Sequence, residues 1–186
     1  MKIDNEVKNQ IRKYNMMQEF EKSYKLLFKL YNKKRDTVLD NFFVVYNISL
    51  TTKKLGRIAE SKKYIVEIKE FMDDKEGFMT EKGFILWLYM ELLKNELTKE
   101  EKLINYRKLK QYFSYLEEDD EMVIGIKGSI EIIQENYVEV ENLISLCFNK
   151  NYIEMANNIL SELKELNEEK YFMIVNKYII KDNQLA

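Results

Sequence analysis

The sequence predicts an all-α protein of antiparallel helix hairpins, with about ten helices. The 186 residues contain no proline and only five glycines, so little interrupts helical hydrogen bonding. Apolar residues recur at three and four positions nearly everywhere, which is the period of a helix with one buried face. Polar breaks follow at intervals of about fifteen to twenty residues. Such short links join helices that run antiparallel to their neighbours.

The breaks place ten helices along one predicted domain, residues 1–186, because no linker or low-complexity segment divides the chain. Thr98 and Glu101 predict a capping box, Asp36 is the expected cap of the third helix, and Gly56 can end a helix in the left-handed conformation. The predicted helices lie approximately at residues 2–15, 18–33, 37–55, 58–72, 79–96, 98–117, 119–135, 137–149, 152–166 and 169–182.

Composition excludes several chemistries, and we expect no catalytic site, no metal and no cofactor. There is no histidine, which excludes Ser-His-Asp sites, Cys-His sites and metal sites with histidine ligands. Cys147, the one cysteine, lies in an apolar run and is predicted to be buried. Gly125 and Gly128 fit no phosphate loop and are expected to permit close helix packing. The acidic run Glu117–Glu121 lacks the ligand spacing of a calcium loop and is interpreted as a solvated helix junction.

Charge and hydropathy predict a cytoplasmic protein with no membrane contact. No apolar run approaches the ~20 residues that cross a bilayer, and the first ten residues lack the apolar centre of a signal peptide. Residues 1–75 carry 17 basic and 11 acidic side chains, whereas residues 76–186 carry 13 and 21. These halves are either two solvated surfaces or a basic half that attracts an acidic partner. Basic clusters interleave only weakly with aromatic residues, so we expect no direct nucleic-acid contact.

The aromatic side chains at helical spacing are predicted to be core residues of packed hairpins. They are Phe42, Phe43, Tyr46, Phe84, Trp87, Tyr89, Tyr112, Phe113 and Tyr115.

Three windows of the chain, residues 4–37, 42–75 and 137–169, share one pattern of spacings. Each has an asparagine, a turn residue nine positions later, and then four positions on one stripe of the next helix. Residues 76–136, by contrast, are predicted as irregular long helices without the pattern. The three matching sets are Asn9, Gln18, Phe20, Ser23, Leu27 and Leu30; Asn47, Gly56, Ile58, Ser61, Ile65 and Ile68; and Asn142, Asn151, Ile153, Ala156, Leu160 and Leu163.

These windows resemble the tetratricopeptide repeat, whose apolar, small and turn positions are occupied by Ile48, Ser49, Gly56, Ile58 and Ser61. The resemblance implies hairpins stacked as a right-handed superhelix, with small residues such as Ser61 and Ala156 where paired helices touch. The window spacings of 38 and 95 residues, rather than 34, mark the repeats as degenerate.

The stretch YNIS, followed by LGRIAESKKYI, is similar to the tetratricopeptide domains of RRNPP-type peptide pheromone receptors. That group includes Rap phosphatases, the PlcR and Rgg regulators and the arbitrium receptors of phages. The resemblance implies that asparagines of the inner helices bind the backbone of a short linear peptide, and Asn47, Asn142 and Asn9 would take this role. Since the pattern begins within the first ten residues, we expect no DNA-binding domain of the kind that regulators of this group carry.

The predicted site extends along one helix, where Phe43, Tyr46, Asn47 and Leu50 are expected to line the same inner surface. An amide side chain offers a donor and an acceptor, as an extended peptide backbone requires. Lys53 and Lys54 lie further along and could meet a carboxylate.

The leading hypothesis is therefore a non-enzymatic, regulatory module of bacterial or phage signalling that binds a peptide or a partner segment. Two alternatives stay open: a Rap-like phosphatase or anti-activator acting on a response regulator, and a scaffold that self-associates, for example as a homodimer.

Overall fold

The computed structural model describes residues 1–183, and the side chains of residues 1–177. The described residues form ten helices and no strand, which confirms the predicted all-α class. The helices are α1 (Asn5–Met16), α2 (Phe20–Tyr31), α3 (Val38–Lys54), α4 (Ile58–Asp73), α5 (Met79–Leu92), α6 (Lys99–Tyr112), α7 (Glu121–Ile133), α8 (Tyr137–Asn149), α9 (Ile153–Leu166) and α10 (Glu168–Asn183).

Polar caps fix where several helices begin. The expected capping box is present, since Thr98 Oγ1 accepts from the Glu101 amide at 3.2 Å and Glu101 Oε2 accepts from the Thr98 amide at 2.8 Å. The expected cap at Asp36 is wrong. Thr37 caps α3 instead, since its hydroxyl accepts from the Asp40 amide at 3.0 Å, and Asp36 pairs with the amino terminus of Met1.

Two helices end four or five residues earlier than predicted. The fifth ends at Leu92 rather than at residue 96, and the sixth ends at Tyr112 rather than at residue 117. In both cases the next residue leaves the helical conformation, with φ and ψ of −107° and 14° at Leu93 and of −103° and 20° at Phe113.

One tight turn recurs four times and joins α1 to α2, α3 to α4, α7 to α8, and α8 to α9. In each turn one residue has a positive φ, and the amide of the next residue donates to the carbonyl five residues back, which closes the helix. The left-handed residues are Gln18 (58°), Gly56 (74°), Glu135 (62°) and Asn151 (61°). The closing amide-to-carbonyl bonds are Glu19 to Tyr14 (2.8 Å), Arg57 to Thr52 (2.9 Å), Asn136 to Glu131 (2.9 Å) and Tyr152 to Cys147 (2.8 Å).

The residue five positions after each left-handed residue is completely buried where two helices touch. These residues are Ser23, Ser61, Val140 and Ala156. At the closest contact the Ser61 hydroxyl donates to the Ser49 carbonyl at 2.7 Å, and the Ser49 hydroxyl donates to the Ser61 carbonyl at 2.9 Å. The predicted turn positions therefore match the structure at Gln18, Gly56 and Asn151, and the sequence pattern missed the fourth turn, at Glu135.

The chain divides into two compact units, Met1–Leu97 and the residues from Thr98 onward. Each unit has an apolar core of its own. The first core is centred on α3, from which Val44, Val45 and Ile48 are completely buried. Both the single domain of residues 1–186 and the superhelical stacking of its hairpins stay predictions.

Side-chain contacts with a separation of 36 residues connect α2 with α4 in the first unit and α8 with α10 in the second. A constant separation is expected when pairs of helices repeat along the chain. It places α8 as the second helix of one pair, so the window at residues 137–169 spans two different pairs. These contacts are Glu21 with Arg57 (2.7 Å), Tyr24 with Glu60 (2.7 Å) and Tyr31 with Glu67 (2.6 Å) between α2 and α4, and Glu141 with Lys177 (2.5 Å) between α8 and α10.

The two glycines of α7 permit close contact with α9, as predicted. A methyl group on Gly128 would lie 2.9 Å from both Cδ1 and Cγ1 of Ile159. A methyl group on Gly125 would meet the sulfur of Met155, which is the far end of a flexible side chain.

We expect Gly128→Ala to destabilise the protein and Gly125→Ala to be tolerated. The added methyl at Gly128 overpacks a branched, buried side chain, which costs roughly 1 to 3 kcal/mol against a helix-propensity gain of about 1 kcal/mol. At Gly125 the thioether can move aside, so the free energy of unfolding should change by less than about 1 kcal/mol. Urea denaturation of both variants measures the difference, and equal effects would contradict it.

The turn at Gly56 gives a second prediction, because a Cβ added there would have no atom within 4 Å and only the positive φ restricts the residue. Gly56→Val should cost about 1 to 3 kcal/mol, since β-branched residues resist this conformation. Gly56→Asn is the matched control and should cost less than about 1 kcal/mol, because Asn151 already adopts the same turn. A lower melting temperature for the valine variant alone is the expected result.

Candidate functional site

Polar side chains of α1 and α3 lie around Phe43 in the first unit, and Arg12 makes the contact between the two helices. Asn9 Oδ1 accepts a hydrogen bond from Arg12 Nη1 at 3.1 Å, and the Arg12 guanidinium lies 5.9 Å from the centroid of the Phe43 ring. The Asn47 side chain donates to the Phe43 carbonyl at 2.7 Å. The structure thus brings together three predicted site residues, Asn9, Phe43 and Asn47, and adds Arg12. We call these four residues the amide row.

Phe43 belongs to the core at the base of the amide row. Only 9% of its surface is exposed, and the Lys8 ammonium and the Arg12 guanidinium both lie near its ring. A molecule on this surface would therefore meet Arg12 and the two asparagines before the phenyl ring.

The remaining predicted residues of the first unit also lie on α3. Tyr46 stacks on Phe42 with a centroid distance of 5.1 Å, and burial, with the negative charge of Glu91, raises the pKa of Tyr46 to about 12. It stays neutral at physiological pH and can donate a hydrogen bond. Leu50 is half-buried against the core.

The two lysines expected to meet a carboxylate differ in their surroundings. Lys53 forms an ion pair with Glu91 of α5 and is therefore not a free cation. Lys54 is exposed and has no ion-pair partner among residues 1–177. Lys54 is therefore the lysine that remains available to a ligand carboxylate.

Sequence reasoning missed two exposed aromatic side chains on α5. The core prediction is wrong for Phe84 and Trp87, which are 38% and 37% exposed, and also for Tyr115. The reason is that α5 is apolar around most of its circumference, so periodicity could not identify its buried face. Trp87 precedes Glu91 by four residues, which places it on the side of α5 that faces Lys53.

Asn142 lies in the second unit, outside the amide row. It is exposed on α8 and donates to Glu139 at 3.1 Å. It is also not at the position equivalent to Asn47, because α8 is the second helix of its pair. Nine residues before the Glu135 turn stands Ile126, which is completely buried. The left-handed turn at Glu135 shows that Asn142 lies on the second helix of its pair, whereas Asn47 lies on the first.

A buried carboxylate ties α1 and the amino terminus to α3. Asp40 pairs with Lys8 Nζ at 2.6 Å and accepts from the Ile3 amide at 3.3 Å. Burial acts to raise the pKa of Asp40, but the hydrogen bonds from Lys8, Ile3 and Thr37 outweigh it and lower that pKa. Because Lys8 is occupied in this way, Arg12 is the cation that α1 contributes to the amide row.

A half-buried carboxylate, Glu162, links three helices of the second unit. Its Oε2 accepts from the Ser129 hydroxyl of α7 at 2.6 Å, and its Oε1 accepts from the Tyr106 hydroxyl of α6 at 3.3 Å. Burial raises the pKa of Glu162 despite these two donors. Glu162 therefore connects α9 with α6 and α7 through hydrogen bonds, and the hydrophobic periodicity of the sequence did not predict these contacts.

The described residues carry little other candidate chemistry. Cys147 is completely buried, as predicted, and burial together with Glu121 raises its pKa to about 11, so it is not a reactive thiolate. Within the described part of the chain no cluster of three or more Cys, His, Asp or Glu side chains could hold a metal ion. None of the helices there combines the length and apolar character needed to cross a bilayer.

Comparisons with known protein families, with curated proteins and with solved structures found no match to this chain. The class that the geometry defines is an all-α protein of repeated helix pairs.

Glu162 gives a prediction with a definite sign. Because its pKa is raised in the folded state, folding gains stability from its protonation below the ordinary glutamate pKa and loses that contribution as pH rises through the raised value. Glu162→Gln should therefore flatten the dependence of unfolding free energy on pH in this range. Near pH 4 the variant should match the wild type within about 0.5 kcal/mol, since an amide resembles the neutral acid.

The matched control is Glu154→Gln, which changes an exposed glutamate of the same helix. Chemical denaturation from about pH 4 to pH 8 measures both variants. A Glu162→Gln variant that keeps the pH dependence of the wild type would contradict the assignment.

Proposed function

We propose that this protein is a non-enzymatic, regulatory binding module of tetratricopeptide type, which binds a short linear peptide or a partner segment on the odd-numbered helices of its first unit. The observation that carries the proposal is the amide row, in which Asn9, Arg12 and Asn47 lie around Phe43 at the junction of α1 and α3. We place the protein in the cytoplasm, within bacterial or phage signalling.

The repeated turn supports the tetratricopeptide type. Each of the four turns has a left-handed residue at the same position, a closing hydrogen bond of the same kind and a buried residue five positions after the left-handed one. The separation of 36 residues between contacting side chains of α2 and α4 is close to the 34-residue period of that repeat. Proteins of this class bind partners on surfaces formed by successive helix pairs.

The amide row offers the groups that an extended peptide backbone needs. Asn47 uses its nitrogen on the Phe43 carbonyl, so its Oδ1, which has no partner among the described residues, is free to accept from a peptide amide. Asn9 uses its oxygen on Arg12, so its nitrogen is free to donate to a peptide carbonyl. Tyr46, Leu50 and Lys54 would extend the contact along α3.

The first experiment is purification of the protein from its native cell, followed by mass spectrometry of what remains bound. A co-purifying short peptide, or a segment of one partner protein, is the expected result. A response regulator would favour the phosphatase or anti-activator alternative. Self-association alone, for example as a homodimer, would favour the scaffold.

Asn47→Ala is expected to weaken binding without unfolding the protein. The lost bond to the Phe43 carbonyl is one of two that this carbonyl can accept within a helix, so the free energy of unfolding should change by only about 0.5 kcal/mol. Peptide groups that become buried without a hydrogen-bond partner should reduce the binding free energy by roughly 1 to 3 kcal/mol for each group, which is a tenfold to hundredfold loss of affinity.

Calorimetric titration with the synthetic form of the recovered peptide measures that loss. Asn157→Ala, which changes an exposed asparagine of α9, is the control and should leave the affinity unchanged. Asn142→Ala, made in the same way, tests whether the second unit takes part. Unchanged binding by Asn47→Ala, with the fold intact, would remove the amide row from the site.

A further inference from the structure

The outward face of α2 carries lysines around an exposed phenyl ring. Ser23, Leu27 and Leu30 of this helix are buried, and the opposite face exposes Lys25, Phe28, Lys29 and Asn32. Phe28 is 41% exposed, although it stacks between Tyr24 (5.7 Å) and Tyr31 (6.5 Å) of the same helix. The ring is therefore held in place while one side of it stays open to solvent.

The charges on this face are unbalanced. From Lys22 to Arg35 the chain has six basic residues and no acidic residue. Lys22 pairs with Glu19, and Arg35 donates to backbone carbonyls at the end of α2, including that of Tyr31 at 2.7 Å. The others make no ion pair within the described residues. We call Lys25, Phe28, Lys29 and Lys33 the lysine strip.

Like charges four residues apart on a helix repel each other, as Lys25 and Lys29 do here. Elsewhere in this unit cations at such spacings meet carboxylates, as Lys69 meets Asp73 at 2.9 Å. The lysine strip lacks such compensation, which a partner with matching negative charges would supply.

Carboxylates lie along the border of the strip with α4. Glu21 pairs with Arg57, Glu60 accepts from Tyr24, and Glu67 accepts from Tyr31. A broad polyanion such as a nucleic-acid duplex would meet these carboxylates as well as the lysines. An acidic helix would reach the lysines along the axis of α2 without crossing that border.

We propose that the lysine strip binds an amphipathic helix of a partner protein, with carboxylates at four-residue spacing and an apolar residue placed over Phe28. The carboxylates pair with Lys25 and Lys29 of α2 and with Lys33, two residues past the end of the helix, and the apolar residue covers the open side of the phenyl ring. This surface lies on an even-numbered helix and is separate from the amide row, so it goes beyond the peptide binding proposed above.

The test uses a synthetic helical peptide of about five turns, with glutamate at every fourth position and leucine between the glutamates. A scrambled peptide of the same composition and a single-stranded thymidine oligonucleotide of similar length are the comparison probes. Fluorescence anisotropy at two salt concentrations measures binding. The helical peptide alone should bind, and more weakly at higher salt.

The double variant Lys25→Glu/Lys29→Glu should lower the affinity for the helical peptide at least about tenfold, and Phe28→Ala should lower it severalfold. The double variant should instead bind a peptide in which lysine replaces each glutamate, and this exchange of partners shows that the variant is folded. Lys108→Glu, at an exposed lysine of α6, and Asn47→Ala should bind the acidic peptide as the wild type does.

Four outcomes would overturn the proposal. One is equal binding of the helical and scrambled peptides, and another is an equal loss of affinity for Lys108→Glu. The third is binding of the oligonucleotide with a loss on the double variant, which would assign the strip to phosphate groups of a nucleic acid. The fourth is no binding by any probe, and none of these results bears on the amide row.

Discussion

The left-handed residue at the end of a helix is the constraint on which the rest of this structure depends. It closes the helix, reverses the chain and brings the residue five positions later into contact with the preceding helix. Glycine and asparagine adopt this conformation easily, but Gln18 and Glu135 adopt it at a cost of about 1 kcal/mol or more. The turn is therefore maintained by packing around it, and not by its own residue alone.

The carboxylates of Asp40 and Glu162 show how surroundings shift the pKa of the same chemical group in opposite directions. Burial raises the pKa of both groups, but at Asp40 the hydrogen bonds from Lys8, Ile3 and Thr37 outweigh burial, so that pKa falls. At Glu162 the two neutral hydroxyl donors do not outweigh burial, so that pKa rises. The first arrangement also shapes the surface, because Lys8 is held by Asp40 while Arg12 stays with Asn9 and Phe43. Electrostatics in the core thus determine which cation is available outside it.

Two surfaces of the first unit have different chemistry because they lie on different members of the helix pairs. The odd-numbered helices carry amide groups with one unused hydrogen-bonding atom each, suited to a peptide backbone. The even-numbered α2 carries unpaired lysines and an exposed ring, suited to charge and apolar contact. A repeat that buries one stripe of each helix leaves both surfaces exposed within one small unit.

The sequence by itself determined the helices, three of the four turns, the burial of Cys147 and the close packing at Gly125 and Gly128. These features depend on residues close together in the chain, which hydrophobic periodicity and backbone preference describe well. Only the tertiary structure decided that Trp87 is exposed, that Glu91 pairs with Lys53 and that Asn142 lies on the second helix of its pair. Those outcomes depend on which helix packs against which face. The local sequence of an all-apolar helix, or the sequence around a charged side chain, does not show which distant residue it will contact.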